Sequence, residues 1–322
     1  MSRRGVLSVA ICLGAMHLAA VFPGLLAPYD YAEQHREFPY APPAHVHWAG
    51  LRPFVYRLNP AGDGYREDAG RRYPIHFLTH GHLFAVDDPG VVFLLGSDAD
   101  GRDVFSRVVY GARISLLTGL LAALLSLGIG WVLGTVAGFA GGRTDRILMR
   151  GSELFMALPW LYLLLAVRAF LPLHISPLEA FLLLVGIIGG VGWVRPARLI
   201  RGVVLSARER PFVLAARGFG AGPIYLVRRH VLPFTWGVTL TQATILIPQY
   251  ILAEVTLSFL GLGVGEPVPS WGNMLAEARQ YHALIGHPWL LAPGLAAIPI
   301  LLGYLLLADS LTGAGASVKQ LN

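Results

Sequence analysis

Charged residues are scarce in this chain. They make up 14% of its 322 residues, whereas soluble domains carry about 25%. Hydrophobic residues make up 55%, and this composition argues against a purely soluble protein. Cysteine is limited to Cys12. No disulfide can therefore form within the chain, and cysteine usage gives no information on the redox compartment.

Lysine is almost absent as well. Lys319 is the only lysine, so 24 of the 25 Lys and Arg residues are arginine. A phosphate-binding loop of the form G-x-x-x-x-G-K-[ST] requires Ser or Thr after its lysine, and Gln320 follows Lys319. G-x-S-x-G and H-E-x-x-H motifs are missing too. We therefore expect no enzyme activity, catalytic residue or cofactor in this chain, and any nucleotide hydrolysis should occur on another polypeptide.

The apolar residues form runs long enough to cross a membrane, which takes about 20 helical residues. Arg3 and Arg4 precede the first run as in a signal peptide, but its apolar character continues to Leu26, which favours an uncleaved anchor. The sequence predicts an all-α polytopic membrane protein with six transmembrane helices, over Val6–Ala27, Ile114–Phe139, Leu154–Leu171, Leu178–Val194, Val238–Leu260 and Trp289–Leu307.

Arginine is concentrated in alternate connectors, above all in Arg195–Arg229. Because cytoplasmic loops are enriched in arginine, both termini are predicted to be cytoplasmic. The net charge of +6 then reflects orientation in the membrane, and no nucleic-acid partner is expected. The predicted segments are an N-terminal anchor (1–28), an extracytoplasmic segment (29–95), an amphipathic interfacial helix (96–112), the main transmembrane domain (113–310) and a cytoplasmic tail (311–322).

The interfacial helix is predicted from one apolar face, formed by Val104, Phe105, Val108, Val109 and Ala112, with Asp103, Ser106, Arg107 and Tyr110 opposite. In the second run, Gly130, Gly134 and Gly138 recur every four residues. This spacing allows close helix packing, and packing within one subunit is favoured over an interface between subunits.

Two features of the sequence are candidates for ligand sites. Glu254, in the fifth run, either lines a solute path or bonds to a neighbouring helix, and the second is favoured. Histidines cluster in the long outer connector, at His35, His45, His47, His76, His80 and His82. His-x-His pairs can ligate a metal on a strand, but this connector is expected to be a loop without a scaffold, so no metal site is predicted.

The connector after the fourth run reads RPARLIRGVVLSARERPFVLAARGFGAGPIYLVRRHVLP. Its helical character is interrupted at Gly220–Pro223 and is expected to end at Pro233. Two short helices should therefore meet at a glycine-rich elbow. Ala216 and Gly220, four residues apart, should share a face of small residues that another protein can approach. A solvated basic loop is the alternative.

The stretch LAARGFGAGPIYLVRRHVLP resembles the cytoplasmic loop of binding-protein-dependent ABC transporter permeases. The motif of that family is E-A-A, three residues, Gly, nine residues, then I-x-L-P. Its positions correspond here to Leu214 in place of Glu, Ala215, Ala216, Gly220, His230 in place of Ile, Leu232 and Pro233. Leu214 removes a polar contact that the motif would supply.

Two further segments resemble the C-type subunits of dipeptide/oligopeptide/nickel importers. LLGSDADGRDVFSRVVYGARISLL is similar to the beginning of their second helix, and ILAEVTLSFLGLGVGEPVPSWGNML to the outer end of their fifth. The outer-face candidates in these segments are Asp98, Gly101, Arg102, Asp103, Ser270, Trp271 and Gly272.

The resemblance implies a MetI-like ABC-importer permease fold in the bacterial cytoplasmic (inner) membrane, with a coupling-helix loop at about 202–233. It implies four partners besides the lipid bilayer: a second homologous permease subunit, two ATPase subunits that hold ATP and Mg, and an extracytoplasmic solute-binding protein. Di- or oligopeptides are the expected cargo, and nickel chelates or another small solute are alternatives. An ion-coupled secondary carrier and a channel-like scaffold are the competing classes.

Overall fold

Helices form most of the chain, as the long apolar runs predict. The computed structural model describes residues 3–319 except 63, 80, 88, 171, 173 and 174. The helices are α1 (Arg3–Val21), α2 (Pro23–Leu26), α3 (Val104–Ala140), α4 (Gly142–Ala157), α5 (Trp160–Ala169), α6 (Pro177–Gly192), α7 (Val194–Arg208), α8 (Pro211–Gly218), α9 (Pro223–Leu226), α10 (Trp236–Phe259), α11 (Trp271–Glu277), α12 (Tyr281–Gly286) and α13 (Ala292–Lys319).

Within the described residues, four helical stretches are long and apolar enough to cross a membrane: Arg4–Val21, Val104–Ala140, Pro223–Phe259 and Pro288–Leu311. The number rises to six if α4 with α5, bent by 88°, and α6 with α7, bent by 44°, each form one span. The predicted helical membrane fold is confirmed, and its third and fourth spans correspond to the two bent pairs.

The first bend explains why the third span differs from its predicted bounds of Leu154–Leu171. Leu158 and Pro159 both have extended backbone between α4 and α5. Proline fixes its own φ and disfavours helical geometry in the residue before it, so the helix breaks here. Leu171, the predicted end, lies outside the described residues.

α3 is a single helix of 37 residues, about 55 Å long at 1.5 Å per residue. The amphipathic helix predicted over 96–112 is therefore not a separate element. Residues 96–103 are not helical, and residues 104–112 form the first turns of α3. Of the polar residues that suggested a surface helix, Asp103, Ser106 and Arg107 are buried and Tyr110 is partly buried.

The long connector also contains a four-stranded antiparallel sheet, in the order β1-β2-β3-β4. Its strands are β1 (His47–Ala49), β2 (Arg52–Ala61), β3 (Gly64–Thr79) and β4 (His82–Val86). The expectation of a loop without a scaffold was wrong. Tyr, Val and Phe favour strands, but Pro53, Pro60 and Pro74 interrupt the runs that would reveal them.

The sheet gives the histidines defined neighbours. His47 lies 2.9 Å from Glu67, His76 lies 3.1 Å from Asp87, and the imidazole of His82 donates to a backbone carbonyl. His80 lies outside the described residues. Across the part of the chain that the structure describes, no three His, Cys, Asp or Glu side chains gather as metal ligands do.

The chain divides into two compact units. The first unit comprises Met1–Val9, Thr118–Glu254 and Leu302–Asn322, and the second comprises Ala10–Leu117 and Val255–Leu301.

In the first unit, the small residues of α3 pack against α7. A Cβ on Gly134 would overlap the carbonyl oxygen of Ala197, and one on Gly138 would lie 2.9 Å from that of Arg201. Ile200 and Val204 of α7 are fully buried in the adjoining cluster. The predicted use of these glycines for packing within one subunit is confirmed.

Candidate functional site

Residues 211–226 form an exposed elbow, made of α8, a short turn and α9. α8 begins at Pro211, which suits a first helical position because its missing N–H has no partner to lose there. At its other end, Gly220 donates to the carbonyl of Arg217 (3.0 Å), and Ala221 donates to that of Ala216 (3.1 Å). With φ of +86° at Gly220, this is a Schellman cap.

The cap corrects two expectations about the connector. Gly220 follows α8 in left-handed backbone, so it does not share a helical face with Ala216. Pro233 does not end the helical path either. α9 continues through one turn of π-helix (Val227–Val231) and one of 3-10 helix (Leu232–Thr235) into α10. Pro233 lies at the start of the 3-10 turn, where its missing N–H is tolerated.

The elbow presents large apolar side chains to its surroundings. Phe219 is 93% exposed and Ile224 is 76% exposed. Leu214, Ala215, Gly220 and Pro233 of the family motif are exposed, while Ala216, His230 and Leu232 are partly buried. Exposed arginines, Arg217, Arg228 and Arg229, surround these groups. An apolar patch rimmed by charge is typical of a protein–protein contact.

Ring contacts and hydrogen bonds connect the elbow to its neighbouring elements. The His230 ring lies 6.0 Å from Phe212 of α8 and 5.6 Å from Tyr225 of α9. At the base, Arg208 donates to the carbonyl of Gly138 at 2.8 Å. The Arg210 guanidinium stacks 4.3 Å from the centre of the Phe234 ring. The elbow is therefore fixed to the α3–α7 packing.

A cleft of about 300 Å³ opens in the first unit, next to the bend between α4 and α5. Trp160, Gly192, Arg195, Gln249 and Tyr250 contribute to its lining, together with apolar side chains. The Tyr250 hydroxyl lies 2.9 Å from Ser126, and its ring stacks on that of Trp160 at 5.5 Å. A Cβ at Gly192 would overlap the Tyr250 hydroxyl, so glycine is needed for this close approach.

The cleft combines aromatic walls with one cationic group. Arg195 is exposed, and among the described residues no carboxylate lies within ion-pair distance of it. Gln249 lies near the middle of α10 and is also exposed. Glu254, the pathway candidate from the sequence, is fully buried and does not line the cleft. No local motif distinguishes Arg195 from the other arginines of the chain.

In the second unit, two buried arginines hold two distant segments together; with their carboxylates they form what we call the arginine cluster. Arg102 contacts Asp98 (2.7 Å), Glu266 (2.7 Å) and Glu277 (3.3 Å). Arg107 contacts Asp98 (3.4 Å) and Glu266 (2.9 Å). The two arginine side chains are 7% and 1% exposed. Burying charge is costly unless it is paired, so these contacts fix the loop before α11 to the start of α3.

The seven outer-face candidates lie in and around this cluster, and all are buried: Asp98, Gly101, Arg102, Asp103, Ser270, Trp271 and Gly272. Asp103 accepts hydrogen bonds from the Ser106 backbone N–H (2.8 Å) and hydroxyl (2.7 Å), which caps α3. The Trp271 indole donates to the carbonyl of Val108 at 3.0 Å. These residues therefore support the outer face from within and are not exposed on it.

Glu266 and Glu277, on the far segment, pair with the two arginines and are not among the candidates from the sequence. Arg107 is buried, whereas the sequence predicts it on the polar face of an interfacial helix. Four carboxylates surround the two arginines, those of Asp98, Asp100, Glu266 and Glu277, and no local sequence pattern identifies the two distant ones. Burial, followed by repulsion from Asp98, raises the pKa of Glu277 to about 7. Burial likewise raises the pKa of Asp103 to about 7.

Comparisons with known proteins agree with the motif in the elbow. A model of the family described as binding-protein-dependent transport system inner membrane component matches residues 130–314, more than half of the chain. The family resemblance expected from the sequence is confirmed.

The chain is similar to three curated permeases. It is 40% identical over 62% of its length to the dipeptide transport system permease protein DppC of Bacillus subtilis, covering 61% of that protein. It is 36% identical over 66% to the oligopeptide transport system permease protein OppC of the same organism, covering 67% of it. It is 33% identical over 97% to the di/tripeptide transport system permease protein DppC of Pseudomonas aeruginosa, covering 87% of it.

Among solved structures, an inward-facing MetNI methionine ABC transporter chain is similar with a TM-score of 0.47 at 19% identity, covering 64% of this chain and 97% of that chain. Residues 130–314, which the family model matches, contain the α3–α7 packing, the elbow and the cleft. The chain belongs to the family of binding-protein-dependent transport system inner membrane components.

Proposed function

We propose that this chain is one of two permease subunits of an ATP-driven importer for di- or oligopeptides in the bacterial cytoplasmic membrane. The peptide cargo is supported by the names of the similar permeases, which are dipeptide, oligopeptide and di/tripeptide transport proteins. A second homologous permease completes the pathway. Two ATPase subunits bind ATP and Mg, and this chain holds no cofactor of its own.

The exposed, capped elbow is the observation that carries this proposal. It offers Phe219 and Ile224 to a partner on a frame fixed by Arg208. The arginines around it favour a cytoplasmic location for the elbow and for both termini. An ATPase groove that closes over the elbow therefore moves α7 and α10 as rigid bodies. Leu214 of α8 is also exposed, so it adds an apolar side chain to the elbow where the family motif has a carboxylate.

The cleft is proposed as the share of the solute path that this subunit contributes. Its apolar and aromatic walls suit peptide side chains of varied type, because such contacts are not directional. Arg195 supplies a cation for the C-terminal carboxylate that all unmodified peptides share. Gln249 can hydrogen-bond to the peptide backbone from the opposite element. The cleft should therefore accept peptides in general rather than one particular sequence.

A solute-binding protein delivers the peptide on the extracytoplasmic side. The arginine cluster fixes the loop before α11, whose residues Gly265–Pro267 are exposed. The docking surface is therefore this loop, held in shape by the buried charges beneath it.

Reconstitution tests the proposal. The chain should copurify with an ATPase pair and a second permease. Proteoliposomes that contain the complex should accumulate a labelled dipeptide only with ATP and the binding protein. Uptake that continues after the ATPase is inactivated would rule out an ATP-driven importer and favour an ion-coupled carrier.

A further inference from the structure

The sheet of the second unit carries exposed apolar side chains at one end. The β1–β2 and β3–β4 turns share this end, because Ala49 pairs with Arg52 and Thr79 pairs with His82. Leu51 is 95% exposed and Leu78 is 77% exposed. Large apolar side chains that are exposed together on a protein surface usually contact a membrane or another protein.

Contacts with the first helix show where this end lies. The imidazole of His82, just after the β3–β4 turn, donates to the Ala27 carbonyl at 2.6 Å. Ala27 directly follows α2, at the end of the first apolar run. Three residues earlier, a Cβ on Gly24 would lie 3.2 Å from the Tyr110 hydroxyl of α3. The β3–β4 turn therefore lies next to the level at which α1–α2 and α3 leave the membrane.

A second contact gives the direction of β4. The Phe84 ring lies 5.9 Å from that of Phe105. Phe105 precedes Tyr110 by five residues, about 7 Å of helix, and the apolar run of α3 at Ile114 by nine, about 13 Å. The end of β4 at the β3–β4 turn therefore lies closer to the bilayer than Phe84 does.

We infer that Phe77 and Leu78, which are exposed at the end of β3 next to the β3–β4 turn, insert into the interfacial region of the adjacent lipid leaflet. Leu78 has a φ of +55°, which is an unfavourable backbone for leucine. Its side chain is 77% exposed, so packing against the described residues does little to offset this cost. Trp48 and Arg52, near the same end and also exposed, are residue types that favour the membrane interface. The sheet thus binds the bilayer surface.

Site-specific quenching tests this inference. Full-length chain carrying Cys12→Ser receives one cysteine, as Leu78→Cys or Asn59→Cys, labelled with a nitrobenzoxadiazole dye in phosphatidylcholine nanodiscs. Asn59 is an exposed control on β2, seven residues or about 23 Å beyond Arg52 and away from the apolar end. Phosphatidylcholine spin-labelled near its headgroup should remove most fluorescence at position 78 and leave position 59 unchanged. Equal responses at the two positions would overturn the inference.

A measurement without substitutions guards against a misfolded variant. The unmodified chain in nanodiscs with a photoactivatable phospholipid should form adducts on peptides that contain Phe77 and Leu78. Adducts confined to the membrane helices would contradict insertion. In the quenching experiment, shielding of the dye at position 78 only after a solute-binding protein or a second copy of the chain is added would show a protein contact. That result would also overturn the inference.

Discussion

Gly220 is the residue of the elbow whose backbone geometry only glycine adopts without strain. Its φ is +86°, and a Cβ there would meet no atom within 4 Å. Gly220→Ala therefore adds a backbone cost and no clash. An L-residue in left-handed geometry costs about 1–2 kcal/mol. This cost would lower the fraction of molecules in which the elbow forms its Schellman cap by up to about 5- to 30-fold.

The ATPase should bind the capped elbow, so its apparent affinity should fall by up to the same factor. The assay is titration of purified ATPase subunits onto the chain in nanodiscs, followed by dipeptide uptake in proteoliposomes. The temperature of global unfolding should stay unchanged, because the elbow is exposed and its cap is local. Loss of affinity without loss of fold is the expected signature.

Gly218→Ala is the matched control. Gly218 is the last residue of α8, its φ is not left-handed, and a Cβ there would also meet no atom within 4 Å. Alanine favours helix over glycine, so this variant should bind the ATPase at least as well as the wild type. Equal affinities for Gly218→Ala and Gly220→Ala would refute the role assigned to the cap.

Three further predictions concern packing, pH and cargo. Gly134→Ala should overpack the α3–α7 contact and reduce stability by about 1–3 kcal/mol in a thermal unfolding assay. Glu277 binds a proton between pH 7 and 4.5 when folded but not when unfolded. It should therefore add stability as the pH falls through that range, on the order of 1–3 kcal/mol. Arg195→Gln should reduce uptake of a free dipeptide about tenfold or more, and uptake of its C-terminal amide much less.

Each of these predictions has a control. Gly128→Ala, on the same helix with no atom within 4 Å of its Cβ, should not reduce stability. Glu277→Gln should show a smaller gain in melting temperature between pH 7.5 and 5 than the wild type; an equal gain would contradict the assignment. Arg198→Gln, on α7 outside the cleft, should not distinguish free from amidated dipeptide. Equal losses for both peptides in Arg195→Gln would count against carboxylate recognition.

The sequence predicted features that depend on local pattern. Apolar run length located the membrane helices, and glycine with proline located the elbow around Gly220 and Pro223. The four-residue glycine spacing of α3 also indicated close packing. These signals are local, because hydrophobicity, φ freedom and helix period act within a few residues.

Features fixed by distant partners were not predicted. Arg107 carries a charge, and its burial depends on its contacts with Asp98 and with Glu266, which is 159 residues away. α3 could therefore not be recognised as one helix from its first turns. The sheet was missed because prolines and arginines disrupt the alternation in β2 and β3. Arg195 and Tyr250 meet in the cleft only after folding.

ATP-driven peptide import through this chain is tested most directly by dipeptide uptake into proteoliposomes that contain the chain with its partner permease and ATPase pair. ATP and binding protein are added to wild-type ATPase or to an ATPase that binds but does not hydrolyse ATP. Accumulation is expected with the first ATPase and none with the second. Equal accumulation with both would contradict an ATP-driven permease.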